Sequence, residues 1–146
     1  MKFVEFLEDH FGSKVSLADQ YGDWLGYRIE DIDKSDNEVT TYLSVRNEHL
    51  SPSGAVHGGV VSGFLDFSCG CAVITTLNQG ELCSTVDLAV KYFKPLKSGD
   101  NIIAQAKVVN RGKTLCSVIT NLYREDDMEQ LVAMATGTFN IYQLKK

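Results

Sequence analysis

A chain of 146 residues, 44% hydrophobic and 23% charged, is long enough for one ordinary domain and too apolar to stay unfolded. Its 14 Lys and Arg against 19 Asp and Glu give a formal charge of -5, which argues against broad nucleic-acid binding, since that needs a basic face. An anionic ligand would have to find a local basic pocket.

The start, Met1-Lys2-Phe3-Val4-Glu5, has no basic stretch leading into a long apolar run, so no secretory signal is expected. Phe3, Phe6, Leu7 and Phe11 fall at helical spacing opposite Glu5, Glu8 and Asp9, which predicts a short amphipathic helix. Two strands are expected near Tyr27 to Ile32 and Val39 to Val45, joined by the turn-rich Asp33-Lys34-Ser35-Asp36-Asn37. Glu48 to Gly54 reads as a loop. From Val56 to Leu77 the chain is apolar almost all round and has no Lys, Arg or Glu. Asp66, His57 and the glycines and serines weaken a membrane span, leaving a buried helix held by tertiary packing.

After Gly80 the pattern is of strands. Val86, Leu88, Val90 and Tyr92 alternate with Thr85, Asp87, Ala89 and Lys91, and further strands cover Ile102 to Val109, Thr114 to Tyr123 and Leu131 to Tyr142. Short connections make the sheet antiparallel. The expectation is a single α+β domain over residues 1–146: an antiparallel sheet wrapped around one long central helix, with a short N-terminal helix.

Asp66 is the most informative residue. An ionised carboxylate inside an apolar helix is costly unless it is paired, hydrogen-bonded or near water. Its neighbours three and four away, Ser62, Gly63, Cys69 and Gly70, are all small. The Asp66 face therefore carries a groove, which either holds a substrate and water or lets the helix lie close to the sheet or a second subunit. Gly54-Ala55-Val56-His57-Gly58-Gly59 opens the same helix. Free N–H groups at a helix N-terminus stabilise negative charge and can hold an oxyanion. His57 is either a hydrogen-bonded core residue or a part of that site. The four cysteines, Cys69, Cys71, Cys83 and Cys116, form no CxxC pair and are expected as reduced, buried thiols in a cytoplasmic protein. Cys69 and Cys71 point nearly opposite ways on a helix, so no metal site is expected.

Gly54-x-x-His57-Gly58-Gly59, then Asp66, then Thr85-Val86-Asp87, a strand ending Tyr92-x-x-Pro95, and the turn Arg111-Gly112-Lys113-Thr114-Leu115 together resemble the hotdog-fold thioesterases. The similarity is to the PaaI-like, acyl-CoA thioesterase 13-like branch and runs from about Ser51 to Tyr142. The resemblance implies hydrolysis of an acyl-CoA thioester by a homodimer or homotetramer with sites at the subunit interface. No metal or bound cofactor is implied, coenzyme A being part of the substrate. Asp66 then matches the family carboxylate, acting as nucleophile or as general base. Gly58 matches the backbone donor to the thioester carbonyl, with Gly59 supporting the turn and His57 setting the loop. Thr85 matches a hydroxyl near the attacking water, contributed by the facing subunit. Arg111 and Lys113, with Lys91 or Lys94, would lie near the CoA phosphates, and Phe64 and Phe67 could line an acyl pocket.

One position departs from the pattern. Ser51 stands where the branch commonly has an Asn that helps fix water and carboxylate, and a hydroxyl cannot reproduce both ends of an amide. This leaves a non-catalytic acyl-CoA or lipid-binding sensor or carrier as the alternative. A serine hydrolase is disfavoured because Gly59-Val60-Val61-Ser62-Gly63 is one residue off the G-x-S-x-G elbow. A hotdog dehydratase would need a His–carboxylate pair in the hydratase pattern, which is not found.

Overall fold

The computed structural model describes residues 1–12 and 19–144. Two helices, α1 (Phe3–Phe11) and α2 (Gln20–Leu25), precede strands β1 (Arg28–Asp33) and β2 (Glu38–Ser44). A short 3-10 turn, Asn47–His49, leads to the long helix α3 (Gly58–Ile74). Strands β3 (Glu81–Tyr92), β4 (Asn101–Arg111), β5 (Leu115–Arg124) and β6 (Asp127–Gln143) complete the chain. The six strands form one antiparallel sheet in the order β1-β2-β4-β5-β6-β3, so β1 and β3 are its edges. The sheet curls around α3 as expected.

Size complementarity explains why the sheet closes on that helix. The strands turn small side chains inward, among them Ala104, Ala106, Ala133 and Ala135, while α3 contributes Phe64, Leu65 and Val73, all fully buried. Large knobs from the helix fill the space that small strand residues leave. Each such side chain contributes about 1.5–3 kcal/mol on burial. That offsets the mediocre helix propensity of the many glycines and valines.

Three local departures from the sequence pattern bear on function. Helix α2 is missing from the periodicity because it is a turn and a half long with a glycine, Gly22, in its middle. Asp19 caps it by accepting from the Gly22 N–H at 2.9 Å, and Arg46 grips its far end by donating to the carbonyls of Trp24 and Leu25. The loop expected at Glu48 to Gly54 begins inside the 3-10 turn, whose His49 is fully buried. In β3 the alternation breaks: a bulge at Val86, between Thr85 and Asp87, inserts an extra residue opposite β6. Val86, expected on the same face as Leu88 and Val90, is therefore exposed, whereas Leu88 and Val90 pack on the core.

Candidate active site

The start of α3 is held by its own loop. A bridge between Leu50 and Val56 and a turn at Ser51–Gly54, with Gly54 at φ 85°, bring the chain round. The His57 N–H donates to the buried His49 carbonyl at 2.8 Å. The imidazole caps the helix, its Nδ1 accepting from the Gly59 N–H at 2.8 Å. His57 Nδ1 is thus an acceptor, which puts the ring proton of the neutral form on Nε2. The Gly58 N–H, first donor of the helix, has no partner among the described residues. Gly58 borders a cleft of about 260 Å³ shared with Tyr92, Phe93, Lys94 and Leu96, and its carbonyl accepts from the Tyr92 hydroxyl at 3.1 Å.

Asp66 stands two turns further along, on a face of α3 where Ser62, Gly63, Asp66 and Gly70 remain partly open. The bulge in β3 keeps Thr85 turned toward the helix, and its hydroxyl donates to Asp66 Oδ1 at 2.7 Å. Oδ2 has no partner among the described residues. A second cleft of about 240 Å³ opens there, walled by Phe3, Tyr21, Tyr27, Phe67 and Phe139. Tyr27 lies flat on Phe67, with ring centroids 3.4 Å apart and planes 9° from parallel, and Phe3 meets Phe67 edge-on at 5.2 Å. Burial and the nearby Asp19 carboxylate, which accepts from its hydroxyl at 3.1 Å, raise the Tyr27 pKa far above its ordinary value. Cys83 also borders this cleft, but burial pushes its thiol up to about 11, so at neutral pH it is no thiolate nucleophile.

Gly58 and Asp66 share one helix, and eight residues at about 1.5 Å each separate them by about 12 Å along its axis. One chain therefore cannot present both to a single carbonyl. Thr85 bonds the carboxylate of its own chain, where the resemblance implied a contribution from a facing subunit, because β3 packs against α3. The Ser51 hydroxyl donates to the Ala55 carbonyl at 3.0 Å and lies 2.7 Å from the Ser53 hydroxyl, so it closes its own turn. Cys69 is not part of the Asp66 groove; it points into the core, with Sγ 2.9 Å from Thr120 Oγ1.

Arg111 is not a free phosphate ligand. It pairs with Glu81 at 3.0 Å and bonds the Gly112 and Lys113 carbonyls, fastening the β4–β5 turn to the entry of β3. Lys91, Lys94 and Lys113 are exposed, and of these Lys94 borders the Gly58 cleft. Phe67 lines the Asp66 cleft, whereas Phe64 is wholly core. Sequence reasoning missed Tyr21 and Tyr27. The only available signal was three aromatic residues, Tyr21, Trp24 and Tyr27, spaced three apart.

A hotdog with a carboxylate at mid-helix and a free amide at the helix start defines a class, and comparison with known proteins gives its family. Residues 53–130 match the thioesterase superfamily. Human acyl-coenzyme A thioesterase 13 is 28% identical over 95 residues, 65% of this chain and 67% of that protein. A phenylacetic acid degradation-related protein of Ralstonia eutropha JMP134 superposes with a TM-score of 0.80 at 26% identity, covering 92% of this chain and 98% of that one. A hypothetical thioesterase protein of Streptococcus pneumoniae TIGR4, solved with coenzyme A, gives 0.71 at 25% identity, covering 82% and 88%. The chain belongs to the thioesterase superfamily, in its hotdog-fold, PaaI-like branch, and is a thioester hydrolase. No helix among the described residues is long and apolar enough to cross a membrane.

Proposed function

We propose that the protein hydrolyses acyl-CoA thioesters at sites completed by a second copy of the chain. One observation carries this: Asp66, fixed by Thr85 beside an aromatic cleft, and the unpaired Gly58 N–H are separated by about 12 Å on one helix. A two-fold partner can bring its own Gly58 to the Asp66 of the first chain, making two equivalent sites. Strand β3, twelve residues long, lies at the edge of the sheet with several exposed side chains beside Thr85. An edge of that length is ordinarily covered, and pairing with its own copy would cover it.

In this reading the acyl group lies in the Asp66 cleft and the pantetheine arm passes the Gly58 cleft, with Lys94, which borders that cleft as Lys91 and Lys113 do not, the cation assigned to the CoA phosphates. Thr85 engages Oδ1, which leaves Oδ2 to accept a proton from water. The water oxygen bonds to the thioester carbon while the carbonyl oxygen becomes an oxyanion held by the Gly58 N–H of the second copy. Collapse breaks the carbon–sulfur bond. The CoA thiolate leaves, and the proton gathered by Asp66 returns to it, giving free acid and CoA. No metal or bound cofactor enters the scheme, and four free cysteines suit a reducing, cytoplasmic setting.

The test is thiol release from a panel of straight-chain and aryl-acetyl CoA esters by wild type and Asp66→Asn. Release by the first and its near-abolition in a folded second are expected; no release by wild type despite CoA-ester binding would favour a sensor or carrier. Mixing resolves the assembly. Gly58→Pro removes the donor without breaking the helix, since proline fits the first helical position and His57 already has the extended backbone it requires. Co-refolded Asp66→Asn and Gly58→Pro chains should regain about a quarter of wild-type turnover, because half the dimers are mixed and each carries one intact site. No recovery would place both groups in one chain. Single turnover in ¹⁸O-water should label the product acid and leave Asp66 unlabelled; label in Asp66 would make it the nucleophile.

A further inference from the structure

The groove along α3 is cut by two glycines, Gly63 and Gly70, one turn before and one turn after Asp66. An aromatic ring covers each. Phe139 stands over Gly70, where a Cβ would meet its ring at 3.7 Å, and it is 2% exposed, a fixed part of the core. Tyr21 stands over Gly63 so closely that a Cβ there would come within 2.3 Å of its hydroxyl oxygen. Unlike Phe139, Tyr21 is 53% exposed and comes from the six-residue helix α2, outside the sheet and α3. Its ring has support: Trp24 stacks beside it at 6.5 Å, Trp24 meets the buried His49 edge-on at 6.0 Å, and Arg46 holds the α2 carbonyls. No hydrogen bond to the Tyr21 hydroxyl occurs among the described residues, so what Tyr21 supplies at this position is bulk.

Building on the reading of the Asp66 cleft as the acyl site, we propose that Tyr21 is a specificity-determining residue that limits the acyl group to a compact one, a single ring or a short chain. The cleft that one chain offers beside Tyr21 measures about 240 Å³, and the ring closes it on the side of Gly63. Its walls are rings, which suit a flat or branched group better than a long flexible chain. If the Tyr21 ring were absent, the groove would continue over Gly63 toward the start of α3, and Gly63, having no side chain, would leave it open.

The experiment measures kcat/KM for a series of CoA esters from acetyl through hexanoyl and decanoyl to palmitoyl, with phenylacetyl and benzoyl, for wild type, Tyr21→Ala, Tyr21→Leu, Tyr21→Phe and Asp66→Asn. Wild type should prefer the short and aryl esters. Tyr21→Ala should raise the ratio of decanoyl to phenylacetyl on the order of tenfold, the scale on which pocket shape discriminates apolar groups. Tyr21→Leu should fall between, and Tyr21→Phe, which keeps the ring, should retain the wild-type preference. A uniform loss across all esters in Tyr21→Ala, or a shift reproduced by Tyr21→Phe, would overturn the assignment, because a merely structural role lowers every substrate alike and a hydroxyl role does not spare Phe. Should Tyr21→Ala melt early, the Leu variant carries the same comparison. An unchanged preference alongside dead Asp66→Asn overturns the role of Tyr21 alone; turnover surviving in Asp66→Asn, or absent from wild type, overturns the site reading and this proposal together.

Discussion

Three polar side chains on α3 reach a hydroxyl on the sheet, and their surroundings differ more than their geometry. Ser68 Oγ lies 2.6 Å from Thr41 Oγ1, Cys69 Sγ 2.9 Å from Thr120 Oγ1, and Asp66 Oδ1 2.7 Å from Thr85 Oγ1. All four partners in the first two pairs are fully buried. There the hydroxyls meet groups that water cannot reach, Ser68 Oγ also donating to the Phe64 carbonyl at 2.8 Å, and burial pushes the Cys69 thiol up to about 12, keeping it protonated. The third pair borders a cleft and includes a carboxylate. The same contact that stabilises in the core orients a charge where water can reach it. Access, more than the bond itself, separates a structural pair from a chemical one.

The largest expected break in that comparison is Asp66→Asn. Loss of a general base typically reduces the rate 10²–10⁴-fold, and here kcat should fall by that order while the melting temperature stays within a few degrees of wild type. Thermal melts beside thiol-release assays check both halves. A fall in stability with intact turnover would assign Asp66 to packing.

The single-residue change at Thr85 sharpens the contrast. A hydrogen bond to a charged group contributes about 1.5–3 kcal/mol, so Thr85→Ala should lower kcat roughly 10–100-fold with little effect on stability. Ser68→Ala should do the reverse: it strands the buried Thr41 hydroxyl, whose other acceptor, the Ala104 carbonyl, is 3.4 Å away. It should lower unfolding free energy by about 1–2 kcal/mol and leave kcat alone. Denaturant titrations and steady-state kinetics on the two variants decide the matter.

How these features show in the sequence follows from their physical range. The last four strands are written in local alternation and the long helix in an unbroken apolar run, in which Asp66 stands out because a charge there has no local explanation. Asp66 and Gly58 are also legible as neighbours on one helix, but their separation along it only becomes decisive once β3 is seen to be an edge. Thr85 lies in the motif, yet alternation alone would set Val86 with Leu88 and Val90 on the inner face, because a bulge moves the parity by one residue without any sign in composition. Helix α2 is too short for a 3.6-residue stripe to declare itself, and with it went Tyr21. The Arg111–Glu81 pair spans thirty residues of chain, so the same arginine read as a surface cation.

That last pair gives a smaller, separable effect. Lys94→Ala should raise KM for CoA esters several-fold and leave it unchanged for a truncated thioester lacking the nucleotide, whereas Arg111→Ala should act on stability. The Glu81 carboxyl is held below its ordinary 4.5, first by the Asn78 N–H and also by the Asn78 amide and Arg111. A depressed carboxylate contributes stability above its unfolded pKa and loses it on acidification, so that contribution fades as pH falls below about 4.5. Melting temperature against pH in Arg111→Ala and Glu81→Gln should show a shallower loss in that range than wild type. A KM effect in Arg111→Ala with unchanged melting would return the residue to the CoA phosphates.

Acidification should act earlier, and more weakly, at the loop that carries Gly58. His49 is fully buried, its Nδ1 accepts from the Arg46 N–H at 3.1 Å, and its Nε2 has no partner among the described residues. Burial and the Arg46 charge hold its pKa below the ordinary 6.5. Between that lowered value and 6.5 the unfolded chain binds a proton that the folded chain does not, so stability rises with pH there and is lost as pH falls through the window. One proton limits the slope to about 1.4 kcal/mol per pH unit. His10 on α1, also depressed by burial, adds a second contribution. His49→Gln should therefore flatten the melting curve just below pH 6.5 without abolishing its slope, and His10→Gln should flatten it further. Because the His49 carbonyl accepts from the His57 N–H, wild-type turnover should fall over the same window, ahead of global unfolding. Turnover that stays level until the protein melts would detach His49 from the Gly58 loop and leave it a core residue alone.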